Sequence, residues 1–104
     1  MPLGVPTRPS QTLLEDQQRW EKRRQQVGSR IRELRLQREL TQESLALEAK
    51  LSRNMVIGIE WGRKSVAYER LWDIADVLEV DVLDLFSPPS DAADKNRRGK
   101  NSAG

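Results

Sequence analysis

Three observations predict an all-α fold. No segment alternates apolar and polar residues with the period of a strand, apolar residues recur instead at spacings of three and four, and one form of helix-start signal is repeated along the middle of the chain. Thr41, Ser52 and Asp81 are the N-cap residues of those starts. Each follows an apolar residue whose partner stands five positions on, in the pairs Leu40/Leu45, Leu51/Val56 and Val80/Leu85, which is the spacing of a hydrophobic staple.

Residues 1–10, with Pro2, Pro6 and Pro9, predict a disordered N-terminus. Residues 11–27 then read as a helical extension. Leu13, Trp20, Val27 and Leu34 are seven apart in it, but Gln17 and Arg24 hold the positions that a coiled coil fills with apolar residues, and Gly28 interrupts the run. A long zipper is therefore not expected, and the apolar edge is expected on the domain or on a second subunit, leaving Arg19, Lys22, Arg23 and Arg24 exposed. Residues 28–87 follow as a compact domain of five short helices near 29–38, 42–49, 53–61, 67–78 and 82–86, the fourth with Ser65 as its best cap. Ile31, Leu34, Leu45, Ala49, Val56, Ile59, Leu71, Ile74, Ala75 and Leu78 form its expected core, closed by Leu83 and Phe86. With almost no linker between them, such helices must cross. Ser87-Pro88-Pro89-Ser90 stops the last one, and residues 88–104 read as a disordered polar tail.

Composition narrows the function classes. A chain of 104 residues without Cys has no disulfide framework, thiolate metal site or Cys nucleophile, and the absence of His removes the commonest general base and metal ligand. An enzyme is therefore not expected, and neither is a metal or cofactor. No apolar run approaches the roughly 20 residues of a membrane span, and residues 1–10 have no apolar core of the signal-peptide kind, so a cytoplasmic protein is expected. The net charge of +2 conceals an asymmetry: residues 1–40 hold nine Lys or Arg against five Asp or Glu, whereas residues 41–87 hold five against nine. Such a basic segment favours a polyanion on one side only.

Residues 53–61 carry the sharpest pattern. At about 100° per residue, Arg53, Asn54, Ile57, Gly58 and Trp61 share one side, within roughly 140°, and Met55, Val56, Ile59 and Glu60 share the other. The second set contains the core pair, so the first faces outward. A helix of this width fits the DNA major groove, where Arg forks onto guanine and Asn onto adenine and where Ile57 can touch a thymine methyl. Gly58 would permit close approach.

Residues 28–86 resemble the lambda-repressor-like helix-turn-helix family, the XRE or Cro type. The likeness lies in the succession Arg30-Ile31-Arg32-Glu33-Leu34-Arg35, Leu40-Thr41-Gln42-Glu43-Ser44-Leu45-Ala46, Ile59-Glu60-Trp61-Gly62-Arg63-Lys64 and Leu83-Asp84-Leu85-Phe86. The resemblance implies a five-helix domain whose second and third helices dock on double-stranded DNA. It assigns base reading to Arg53 and Asn54, with Ile57 and Gly58 beside them. Phosphate contact falls to Gln42 with the amides opening its helix, to the N-cap residues Thr41 and Ser52, and to Arg63 and Lys64. Lys50 stands where the family usually has Gly in the tight turn, and Met55, Ile57 and Gly58 replace residues usually polar there. The expectation is a sequence-specific transcriptional regulator, a repressor acting as a homodimer, with Trp20 and Trp72 as interface candidates and no small-molecule ligand evident. A protein-interaction module of the antitoxin kind is the alternative, on the strength of the apolar residues facing outward from residues 53–61.

Overall fold

The computed structural model describes residues 9–90, so most of the expected disordered N-terminus and tail lies outside the described residues. Four α-helices are followed by one 3-10 helix, with no strand among the described residues: α1 Pro9–Gln37, α2 Gln42–Ala49, α3 Arg53–Glu60, α4 Tyr68–Leu78 and the 3-10 helix Val82–Phe86.

The extension and the first helix of the domain, expected as two, are a single helix of 29 residues. Gly28 does not break it. A glycine inside a helix costs about 1 kcal/mol relative to Ala, and this one is buried where α1 crosses the end of α3. A Cβ built on it would lie 2.1 Å from the Ile59 carbonyl oxygen and 2.8 Å from that of Glu60. The missing side chain is what lets the two backbones approach.

Three corners join the helices by one device. Glu39, Lys50 and Glu79 each take the left-handed conformation, with φ of 58°, 59° and 58°. The next residue, Leu40, Leu51 or Val80, donates its N–H back to the carbonyl of Arg35, Ala46 or Ala75 at 3.0, 2.8 and 3.0 Å. That bond closes a Schellman motif. The same apolar residue packs against the core and precedes the cap of the next helix. Thr41, Ser52 and Asp81 then accept the N–H of Ser44, Met55 and Leu83 at 2.9, 3.0 and 2.9 Å. One helix stop, one core contact and one helix start thus fit into three residues. The start of α4 departs from this plan: Ala67 is its N-cap and makes no side-chain cap bond, and Ser65 does not serve as the cap.

The core holds Ile31 and Leu34 of α1, Leu45, Ala46 and Ala49 of α2, Val56 and Ile59 of α3, four residues of α4, and Leu85. Leu83 and Phe86, expected to close it, are instead 70% and 49% exposed. The reason is the period of three in a 3-10 helix, which places Val82 and Leu85 on one side and Leu83 and Phe86 on another.

Polar side chains of α1 hold the 3-10 helix from below. Arg30 Nε donates to the Asp84 carbonyl at 2.9 Å, and Gln26 Nε2 donates to that of Phe86 at 3.1 Å. Glu33 accepts from Arg30 and from the Ser90 N–H, both at 2.8 Å, so the first residues after Phe86 are tied to α1. Burial raises the Glu33 carboxyl, but the Ser90 and Arg30 hydrogen bonds and the Arg30 charge outweigh it and leave its pKa below the usual carboxylate value.

Two glycine exchanges should move stability in opposite directions. Gly28→Ala, neutral or favourable in a free helix, should cost about 1–3 kcal/mol by forcing α1 off α3. Lys50→Gly should gain about 1 kcal/mol by relieving the left-handed corner. Urea unfolding of the two variants tests both signs, and a stabilising Gly28→Ala would contradict the crossing geometry.

Candidate nucleic-acid interface

α2 and α3 are joined by the corner at Lys50, whose N–H reaches the carbonyls of Ala46 and Leu47. Arg70 of α4 closes the corner from outside, donating through Nη2 to the carbonyls of Ala49 at 2.6 Å and Lys50 at 2.9 Å. A cation there also meets the negative end of the α2 dipole.

Behind α3 lies a buried ion pair. Glu60 accepts Arg35 Nε at 2.6 Å and Nη2 at 3.0 Å, the two-pronged geometry that suits a guanidinium and a carboxylate. Their side chains are 1% and 8% exposed, respectively. Arg35 Nη1 donates to the Leu40 carbonyl at 2.8 Å, and Gln42 Nε2 donates to Glu60 at 3.1 Å. A charge this deep is tolerable only when fully partnered, so α1, α2 and α3 must arrive together.

The end of α3 is closed against α1. Gly62 has φ of +74°, and a Cβ on it would lie 2.8 Å from the Gln25 Cα, so the position excludes any other residue twice over. Its carbonyl accepts Arg24 Nε at 3.0 Å. Arg63 and Lys64 donate their N–H groups to the Gly58 carbonyl at 2.8 and 3.1 Å, and both side chains are exposed.

The residues expected to read bases separate into two groups. Arg53 and Asn54 are exposed in the first turn of α3, Ile57 is half-buried beside them, and neither polar side chain is engaged within the described chain. Gly58 is buried instead: a Cβ on it would come within 2.7 Å of the Lys64 side chain, so its missing side chain accommodates the loop and does not face outward. Of the expected phosphate ligands, Thr41 and Ser52 are exposed and cap their helices, whereas the Gln42 side chain is half-buried and turned inward to Glu60. The Nε2 group of Gln42 is thus engaged inside the domain.

Trp61 is 60% exposed, with the Arg63 guanidinium 6.0 Å from its ring centroid. Trp72 is 51% exposed and meets Tyr68 edge to face at 6.1 Å, while Trp20 is exposed on α1. Sequence reading overlooked Tyr68 as the neighbour of Trp72, although the two are one turn apart. It also left the ion pair unassigned, although Glu60 shares the core side of α3 with Val56 and Ile59, and Arg35 stands four residues after the buried Ile31.

A sequence model described as helix-turn-helix matches residues 31–85. No curated protein matches. Among solved structures, the restriction-modification controller protein from Aeromonas hydrophila is similar at 33% identity and a TM-score of 0.62, over 64% of this chain and 96% of that one. The clp gene regulator from C. glutamicum is similar at 28% identity and a TM-score of 0.59, over 61% and 81%. A hypothetical transcription factor from Neisseria is similar at 27% identity and a TM-score of 0.62, over 69% and 82%.

Glu60→Ala should lower stability by about 3–5 kcal/mol, because it strands the Arg35 guanidinium, whereas replacing the pair together, as Arg35→Met with Glu60→Leu, should cost far less. A double-mutant cycle read by urea unfolding distinguishes the cases. Additive costs would show that the two groups do not depend on each other.

Proposed function

Since the chain belongs to the helix-turn-helix family of DNA-binding transcriptional regulators, we propose that it is a repressor that reads the DNA major groove with α3 as a homodimer. The observation that carries this reading is the placement of Arg53 and Asn54: both are exposed and unengaged at one end of a helix whose other end is immobilised by Glu60 and Gly62. A reading group gains discrimination when its backbone cannot yield to a wrong base, and these two stand on a helix anchored by Glu60, by the Gly28 crossing and by the Gly62 turn.

In this reading Arg53 and Asn54 hydrogen-bond to base edges and Ile57 meets a thymine methyl. Thr41, Ser52 and the first amides of α2 and α3 lie on phosphates, with Arg63 and Lys64 on the backbone beyond. The solved relatives support it through their names, a restriction-modification controller protein and a clp gene regulator. One α3 spans too few base pairs for useful specificity, so two copies would occupy half-sites about 34–36 Å apart. Trp72 with Tyr68, and Trp20 on α1, are the apolar groups available for the two-fold contact. The exposed Trp61 sustains the second reading, a partner-binding module of the antitoxin kind, and a chain that selects no duplex would favour it.

Selection of bound duplexes from a random pool is the first test. Wild type should return a two-fold symmetric site, and Arg53→Ala and Asn54→Ala should each relax one position by about 1–3 kcal/mol of discrimination with stability hardly changed. Unaltered preference in both variants would remove α3 from the readout.

Sedimentation at tens of micromolar addresses the dimer. Wild type should sediment as two copies, and Trp72→Ala or Trp20→Ala as one. A monomeric wild type, or a dimer indifferent to both changes, would refute the contact.

A further inference from the structure

A cavity of about 220 Å3, open to solvent on one side, lies between α1, the end of α3, the following loop and the start of α4. Its wall divides by chemistry. Val27, Leu71 and Phe86 belong to an apolar floor, and the side chains of Arg23, Arg24 and Lys64 line the same space. No Asp or Glu is among its lining residues. Among the described residues none of the three forms an ion pair.

Two of these cations are oriented by the fold. Arg24 is held by its Nε–H on the Gly62 carbonyl, which leaves the terminal nitrogens of its guanidinium for another acceptor. The stem of Lys64 lies against Gly58, the close approach that this glycine makes possible.

We propose that the cavity is a binding site for a small apolar carboxylate. The acid head would lie among Arg23, Arg24 and Lys64, where a guanidinium fork matches a carboxylate in geometry and charge. The hydrocarbon or aryl body would cover Val27, Leu71 and Phe86. A phosphodiester is polar on every side and would leave this floor in water, which separates the site from the phosphate contacts of the DNA face. The volume, at about 30 Å3 for each water-sized group, accommodates a body of roughly seven heavy atoms. No such ligand was expected from the sequence, because Arg23, Lys64 and Phe86 are far apart along the chain and are brought together only by the crossing at Gly28 and Gly62 and by the bonds from Gln26 and Arg30 to the 3-10 helix. If Lys64 also serves the DNA backbone, as the reading above holds, one side chain belongs to both sites.

Hexanoate, titrated into the full chain without DNA and followed by NMR, tests the site. Saturable shifts should appear at Val27, Leu71 and Phe86. Binding should be at least tenfold weaker for acetate, which lacks the body, and for hexanamide, which lacks the charge. Arg23→Gln, an exposed exchange, should weaken hexanoate about fivefold. Equal binding of hexanoate and hexanamide, an Arg23→Gln chain as tight as wild type, or the absence of saturation would overturn the proposal. Because no DNA is present, a chain that fails this titration yet selects a duplex loses the cavity alone; one that binds hexanoate and selects no duplex loses the DNA reading alone.

Discussion

The burial of a single carboxylate governs how this chain is assembled. Glu60 ends α3 inside the protein, and its charge is tolerated there because Arg35 supplies two hydrogen bonds from α1 and Gln42 a third from α2. A hydrophobic contact would allow the helices to slide, since dispersion and area burial have no direction. A two-pronged ion pair fixes both distance and angle. The crossing at Gly28 and the left-handed turn at Gly62 act on the same end of α3, so the helix is anchored at its C-terminus and presents its N-terminal turn freely. The division between anchored and offered ends is the structural basis of the proposed reading head.

The corners complete that arrangement. Glu39, Lys50 and Glu79 are L-residues held at positive φ, each at a cost of about 1–2 kcal/mol relative to a right-handed conformation. They persist because the bonds that close each corner also satisfy helix-end carbonyls, and because Leu40, Leu51 and Val80 bury apolar surface in the same step. Charged residues stand at these positions, and Arg38, in the turn just after α1, meets Glu79 across two of the corners at 2.8 Å. That exposed pair contributes little to stability.

Much of the fold could be read from the sequence because its signals are local. The caps Thr41, Ser52 and Asp81 and their staples are written in consecutive residues, and each was found where expected. The core of α3 and α4, and Leu45 and Ala49 of α2, followed from spacing alone, whereas the buried Ala46 was not among the expected core residues. The failures share a different character. Gly28 looked like a helix break because its reason, the carbonyls of Ile59 and Glu60, is more than thirty residues away. Leu83 and Phe86 were misassigned because a 3-10 helix repeats every three residues, and the pattern of so short a segment does not announce which helix it forms. In the interface, the exposure of Arg53 and Asn54 was legible from helical phase. The inward turn of Gln42 was not, because it depends on a carboxylate that only the tertiary structure buries.

The orientation of α3 toward DNA is the claim on which the rest converges. Cross-saturation from a selected duplex to the amides of the deuterated full chain measures contact directly. Transfer is expected at the first turn of α2, at Arg53 through Ile57 and at Arg63 and Lys64, with the amides of Tyr68 through Trp72 silent. Transfer confined to α1 or α4, with Arg53 through Ile57 untouched, would contradict it.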